Sequence, residues 1–332
     1  MPASNAVLPT IPVGMEPTWI AIAPDGKRAY VTMSDHVDGS AKGAVAVIDT
    51  QSKTLLTTIA VGILPSNVVV APEGRRAYVP NIAHGGVVSV IDTAANAVVD
   101  SITVSPPGSR PQGVALTPDG RHLYLAIEGL GDDPAGGLSV IDLEEKAVIA
   151  NMPLLPCEAA AAITPDGHSV YMLHLMGPGP AVVDTTTHEL TFPLTSAIAC
   201  GSMGFTPDGS LFYLFADDFG EVFDLATHKL VTVFDTFGGH TTGVAVSADG
   251  RHVYVSQRPG KSAGGILVID VPTQKRVDPP IERTVGAVTA GVVASRIELP
   301  GSADGLALLP DGVTAYVSDR HARAVRIISL PS

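Results

Sequence analysis

The chain of 332 residues carries 20 basic and 33 acidic side chains, a net charge of −13, and is 45% apolar although only 5% aromatic. That length suffices for one large or two ordinary domains, and a negative field of this size repels phosphate backbones and anionic membrane surfaces, which makes nucleic acid an unexpected partner. No uncharged apolar run approaches the roughly 18 residues that a membrane span needs, so the expectation is a soluble protein with no membrane partner.

The apolar residues are mostly Val, Ala, Ile and Leu, interrupted by 34 Gly and 27 Pro. This mixture suits many short strands joined by tight turns. The opening MPASNAVLPT has neither a basic n-region nor an apolar h-region. The expected location is therefore cytoplasmic, with a periplasmic or secreted protein whose signal was removed as the alternative.

Residues 8–14, LPTIPVG, nearly repeat residues 56–62, LTTIAVG, which close a longer unit. That unit begins with a short apolar segment, WIAIA, and turns at Pro24-Asp25-Gly26. It continues through a strand centred on Tyr30, a variable loop and a third strand, GAVAVIDT. The same turn, or a near relative, recurs at Glu73, Asp119, Asp166, Asp208, Asp249 and Asp311, spaced 48, 46, 47, 42, 41 and 62 residues apart. All seven tyrosines (Tyr30, Tyr78, Tyr124, Tyr171, Tyr213, Tyr254 and Tyr316) fall in the strand after a turn. The turn chemistry is specific: Pro presets one corner, Asp bonds the amides that follow, and Gly takes the positive φ that lets two strands pair.

Four antiparallel strands per repeat, seven times over, predict an all-β seven-bladed β-propeller. Stacked blades bury both faces of most strands, which explains apolar runs in place of clean alternation. The last repeat ends one strand short, so residues 7–14 are expected to complete the blade formed by 302–330 and close the ring. The pattern seen in RPQGVALTPDGRHLYLA and GVVSVIDT resembles the YVTN-repeat (YncE-like) propeller family over essentially the whole chain. The resemblance implies the fold. It leaves the function open, because similar propellers include surface-layer proteins, lactonases, haem-binding domains and a periplasmic DNA-binding member.

In such a blade the loop into the inner strand and the loop between the second and third strands lie on one face, opposite the Pro-Asp-Gly turns. On that face the repeats diverge. One ring of equivalent positions reads Glu16, Leu64, Arg110, Cys157, Ala199, His240 and Ser302. The ring at the asparagine of the family pattern reads Met33, Asn81, Ile127, His174, Ala216, Gln257 and Asp319. Farther out come His36, His84, Glu128, Asp217, Arg258, Arg320 and His321. An asymmetric set of acids, bases and a thiol around one mouth fits a site for a small-molecule ligand.

Glu16, Arg110, His174 and His240 are the candidate catalytic residues, supplying acid, anion partner and base. Trp19, Asn81, Glu128, Gln257, Arg258, Asp319 and Arg320 are the candidate substrate contacts, and Arg110 and Arg258 are suited to hold a carboxylate. A transition metal held by radial histidines is a further expectation, with His84, His174, His240 and Cys157 as ligands. Cys157 and Cys200, in the incoming loops of adjacent blades, fit a disulfide, soft metal ligands or inert core residues. The acidic, Gly-rich stretch 129–137 reads as a solvated loop, and the insertion at 271–291 lengthens a hairpin of the sixth blade.

Two functions follow. One is a small-molecule enzyme working at the funnel by acid–base chemistry (lactonase-like hydrolysis, isomerisation or a lyase reaction) or with metal assistance. The other is a non-catalytic binding or scaffold propeller using the same face.

Overall fold

A computed structural model of the protein describes residues 9–37, 40–82, 86–104, 110–128, 136–153, 160–173, 179–196, 201–260, 264–271 and 293–330. Seven four-stranded antiparallel sheets form a ring of blades. Blade 1 runs from Glu16 to Val61, blade 2 from Val69 to Thr103 and blade 3 from Arg110 to Pro153. Blade 4 spans Ala161 to Thr191, blade 5 Ser202 to Asp235 and blade 6 His240 to Glu298. Blade 7 takes three strands from Leu306–Leu308, Thr314–Asp319 and Ala324–Ser329, and its fourth is Ile11–Pro12 from the start of the chain. Ile11 pairs with Val325 and Pro12 with Ala324, so the ring closes within a sheet as the repeat offset predicts. Proline is tolerated there because the strand is an edge and needs few donors.

Each Pro-Asp-Gly turn is knit by its own residues. The seven turn glycines have φ between 68° and 76°, the left-handed region that costs a side chain energy. The carboxylate accepts the amide two residues on, as Asp119 does from Arg121 at 3.0 Å. In blades 3 to 6 a hydroxyl just before the turn also bonds that carboxylate: Thr117, Thr164, Thr206 and Ser247 at 2.5–2.6 Å. The threonine that ends each VIDT string, and the VVDT string of blade 4, ties the two turns of a blade together. Thr50, Thr93 and Thr185 donate to the carbonyls of Gly26, Gly74 and Gly167 at 2.6–2.7 Å.

Side chains then join the blades. Among the described residues seven apolar clusters form, one at each blade–blade boundary. Each recurrent tyrosine belongs to the cluster shared with the next blade, and none is more than 8% exposed. Burying each ring contributes about 1.5–3 kcal/mol. Tyr316 crosses from blade 7 to donate to the carbonyl of Thr50 at 3.1 Å, and Tyr124 crosses from blade 3 to that of Thr185 at 3.4 Å. The cluster between blades 7 and 1 includes Ile11 and Val13, so the closing strand contributes packing as well as pairing. The turns meet too: a Cβ on Gly167 would lie 2.8 Å from Pro118 of the preceding blade. The outer strands depart from two-sided burial, with Leu56 and Val99 about half exposed. No helix of the described residues is long and apolar enough to cross a membrane.

Candidate functional site: the funnel opposite the turns

Three of the rim positions inferred from the repeat have a cross-strand partner on the second strand of their blade. Glu16 pairs across the sheet with Ser34, Arg110 with Glu128, and His240 with Arg258. In these three blades the register then slips, between Pro17 and Ile20, Pro111 and Val114, and Thr241 and Gly243. Such bulges re-aim side chains near sites. The blade 1 bulge contains Thr18 and Trp19, the blade 3 bulge Gln112, and the blade 6 bulge Thr242; all four line the funnel or the channel below it.

The funnel mouth encloses about 680 Å³, bordered by Glu16, Trp19, Asp35, Gln112, Arg258, Asp304, Arg320 and Arg323. A central channel of about 920 Å³ runs from Pro72 and Pro118 at the turn face to Asp217, His240 and Arg258. Trp19, Thr242 and Arg258 border both spaces. Both volumes lie in the range of small-molecule sites. Hydroxyls at the neck bind neighbouring blades: Ser66 donates to Pro111 at 3.0 Å, Thr242 to Ala303 at 2.7 Å and Ser318 to Thr18 at 2.6 Å. The neck is therefore fixed by main-chain contacts while the residues above it differ.

Two polar groupings stand at the mouth. Asp304 has a side chain only 1% exposed and accepts Arg258 Nε at 2.5 Å. Its other oxygen accepts the backbone amide of Arg320 at 3.0 Å, and Arg320 Nε lies 3.8 Å from the carboxylate. One buried carboxylate thus anchors two guanidinium groups, which keep one net positive charge beside the cavity. Arg320 Nε is itself buried and has no hydrogen-bond partner among the described residues. In the second grouping, His240 Nδ1 meets Asp217 Oδ2 at 2.6 Å, with side chains 60% and 51% exposed. A pair that open to solvent adds little stability. Its chemical consequence is larger: a carboxylate on Nδ1 orients the ring and leaves Nε2 for proton transfer.

The other expected contacts divide. Arg110 is held by Glu128 at 3.5 Å, and Gln112 also bonds Glu128, so these two charges satisfy each other. Among them only Gln112 borders the mouth.

Of the expected contacts, Asn81, Gln257 and Asp319 are 1%, 0% and 0% exposed and border neither space. Asn81 donates to the carbonyls of Val79 and Val87 at 3.0 and 2.9 Å, and Gln257 to that of Thr236 at 2.8 Å. Asp319 forms a buried ion pair with Arg326, whose Nε lies 2.7 Å away, and also accepts the amide of Ala322 at 3.0 Å. In these three blades the side chain at this repeat position bonds strand or incoming-loop groups beside it.

His84, His174, Cys157 and Cys200 lie outside the described residues. Among the described residues no three His, Cys, Asp or Glu side chains group as metal ligands, and of the four metal candidates only His240 is described.

The sequence reading missed Asp304, Gln112 and the two-point pair of Arg323 with Asp35, whose oxygens lie 3.1 Å from the guanidinium. A signal for the first two existed. Two residues after the rim position, five blades have Thr18, Ser66, Gln112, Thr242 and Asp304, and the one acid among those small polar groups marks a charged partner nearby. No family model matches the chain, and comparison with curated proteins gives no match.

Proposed function

We propose that this propeller is a small-molecule enzyme that receives an anionic substrate in the funnel and acts on it by acid–base chemistry. The observation that carries the reading is a juxtaposition. The Asp217–His240 pair and Arg258 border one cavity, and His240 and Arg258 are directly opposed on neighbouring strands. Opposed residues have Cβ atoms about 5 Å apart, which places a base beside an anion contact. Arg258 and Arg320, steadied from beneath by Asp304, would receive a carboxylate or similar group. His240 would take a proton from the substrate, or from a water attacking it, and Asp217 would stabilise the imidazolium that forms. Hydrolysis of a lactone-like ring and isomerisation next to a carboxylate both need these parts. The repeat pattern supports membership of the YVTN-repeat propellers, some of which resemble lactonases.

The test is turnover of a panel of small lactones and hydroxy acids by wild type, His240→Ala and Asp217→Asn. A positioned base is worth about 10²–10⁴-fold, so His240→Ala should lose at least a hundredfold in kcat with the fold intact. Equal turnover by all three proteins refutes the assignment.

A second reading is a non-catalytic binding propeller using the same face. What favours it is Phe237, which precedes His240 in the same loop and is 49% exposed, as an aromatic contact for a macromolecule would be. Retained affinity for a partner in His240→Ala, with loss in Phe237→Ser, would decide for it.

A further inference from the structure

From the charges of the mouth we infer that its ligand is a small zwitterion, bound with its anionic end at Arg258 and Arg320 and its cationic end at Glu16 and Trp19. This rests on the anion-binding reading above and names the substrate class more closely. Among the described residues the mouth is bordered by three arginines, Arg258, Arg320 and Arg323, and three acids, Glu16, Asp35 and Asp304. Four of these six are matched locally: Arg323 with Asp35 through two contacts, and Asp304 with one positive charge's worth of its two arginines.

Among the described residues two unit charges are left. One is positive and shared by Arg258 and Arg320 on blades 6 and 7. The other is the carboxylate of Glu16 on blade 1, the next blade round the ring. Glu16 is half-buried and its side chain has no hydrogen bond or ion pair with a described residue. Partly desolvated charges of opposite sign, fixed on adjacent blades and not joined to each other, are complementary to a molecule that carries both signs. A simple anion would gain on one side and be repelled on the other. Trp19 follows Glu16 by three residues on the same bulged strand and borders the same cavity. An indole face attracts an ammonium group, so the second contact has the same preference as the first.

The experiment is calorimetric titration at neutral pH with 4-aminobutyrate and 6-aminohexanoate as zwitterions, and butyrate and hexanoate as anions of matched length. Wild type should bind a zwitterion at least tenfold more tightly than its matched anion. Glu16→Gln, with an unchanged circular dichroism spectrum, should bring the two within threefold. Arg258→Gln should weaken both at least tenfold. If wild type binds butyrate or hexanoate as tightly as its amino counterpart, or if Glu16→Gln leaves the preference in place, the zwitterion inference is wrong and the anion reading survives. If none of the four acids binds, the anion reading falls and this inference falls with it.

Discussion

Replacing Asp319 by alanine separates a ligand contact from a structural keystone. The carboxylate is fully buried and receives Nε of Arg326 at 2.7 Å, a second guanidinium nitrogen, and the amide of Ala322 at 3.0 Å. Arg326 is 9% exposed and its remaining bond is to the carbonyl of Pro300 at 2.6 Å. The variant leaves a buried cation without its counter-ion, for which a cost of about 3–5 kcal/mol is expected. With about 2.1 cal/mol/K of unfolding entropy per residue, a chain of 332 residues loses roughly 1.4 °C of Tm per kcal/mol, or about 4–7 °C in all. Urea titration should show the loss as a lower midpoint at constant slope. Replacing both partners, as Asp319→Leu with Arg326→Met, should recover most of it, because no charge then stays unpaired. A loss below about 1 kcal/mol in Asp319→Ala, combined with weakened ligand binding, would refute the keystone argument and return this residue to the funnel.

Three further outcomes follow from the repeat. Gly167→Ala must adopt φ near 76° and bring a Cβ to 2.8 Å from Pro118, whereas Gly209→Ala has a similar φ of 68° and open space. The first should therefore cost about 1–2 kcal/mol more than the second in denaturant titration, and equal costs would exclude the blade-to-blade contact as the cause. Burial pushes the phenols of Tyr124, Tyr171 and Tyr254 up to about 12 from 10.0. Their contribution is then complete below pH 10 and lost as pH climbs through 12, so tyrosinate absorbance should rise only with unfolding; a smooth rise centred on pH 10 in folded protein would contradict this. Bonds from Thr117, Thr164 and Thr206 hold the carboxyls of Asp119, Asp166 and Asp208 below their ordinary 3.8. That contribution is present above about pH 4 and disappears as pH falls through the lowered values, so Asp166→Asn should flatten the acid limb of a Tm–pH curve.

The fold was legible because it is written seven times. A tyrosine after every turn had to mean one recurrent task, and that task is packing against the next blade. The rim was legible as positions, since the cross-strand partners of Glu16, Arg110 and His240 follow from the same count. Side-chain direction was not. Asn81, Gln257 and Asp319 lie at or next to strand ends beside the mouth, yet each lies against its own incoming loop, where a glycine runs close. A Cβ on Gly62, Gly239 or Gly301 would come within 2.6–2.8 Å of those three side chains. Glycine one or two residues before the rim was the available clue. Pairing of Arg258 and Arg320 on Asp304 depends on how adjacent blades stack, a relation that no single repeat contains.

The seam of the ring has a mechanical consequence. In blade 7 the first described strand and the last run antiparallel, so residue 9 and residue 330 leave the sheet at the same edge. Tension applied to both ends would therefore peel Pro12 and Ile11 away in succession, Ile11 first, instead of dragging them sideways together. A toroid held by seven blade-to-blade clusters would thus yield first at the two-residue strand that closes it, when pulled from both ends.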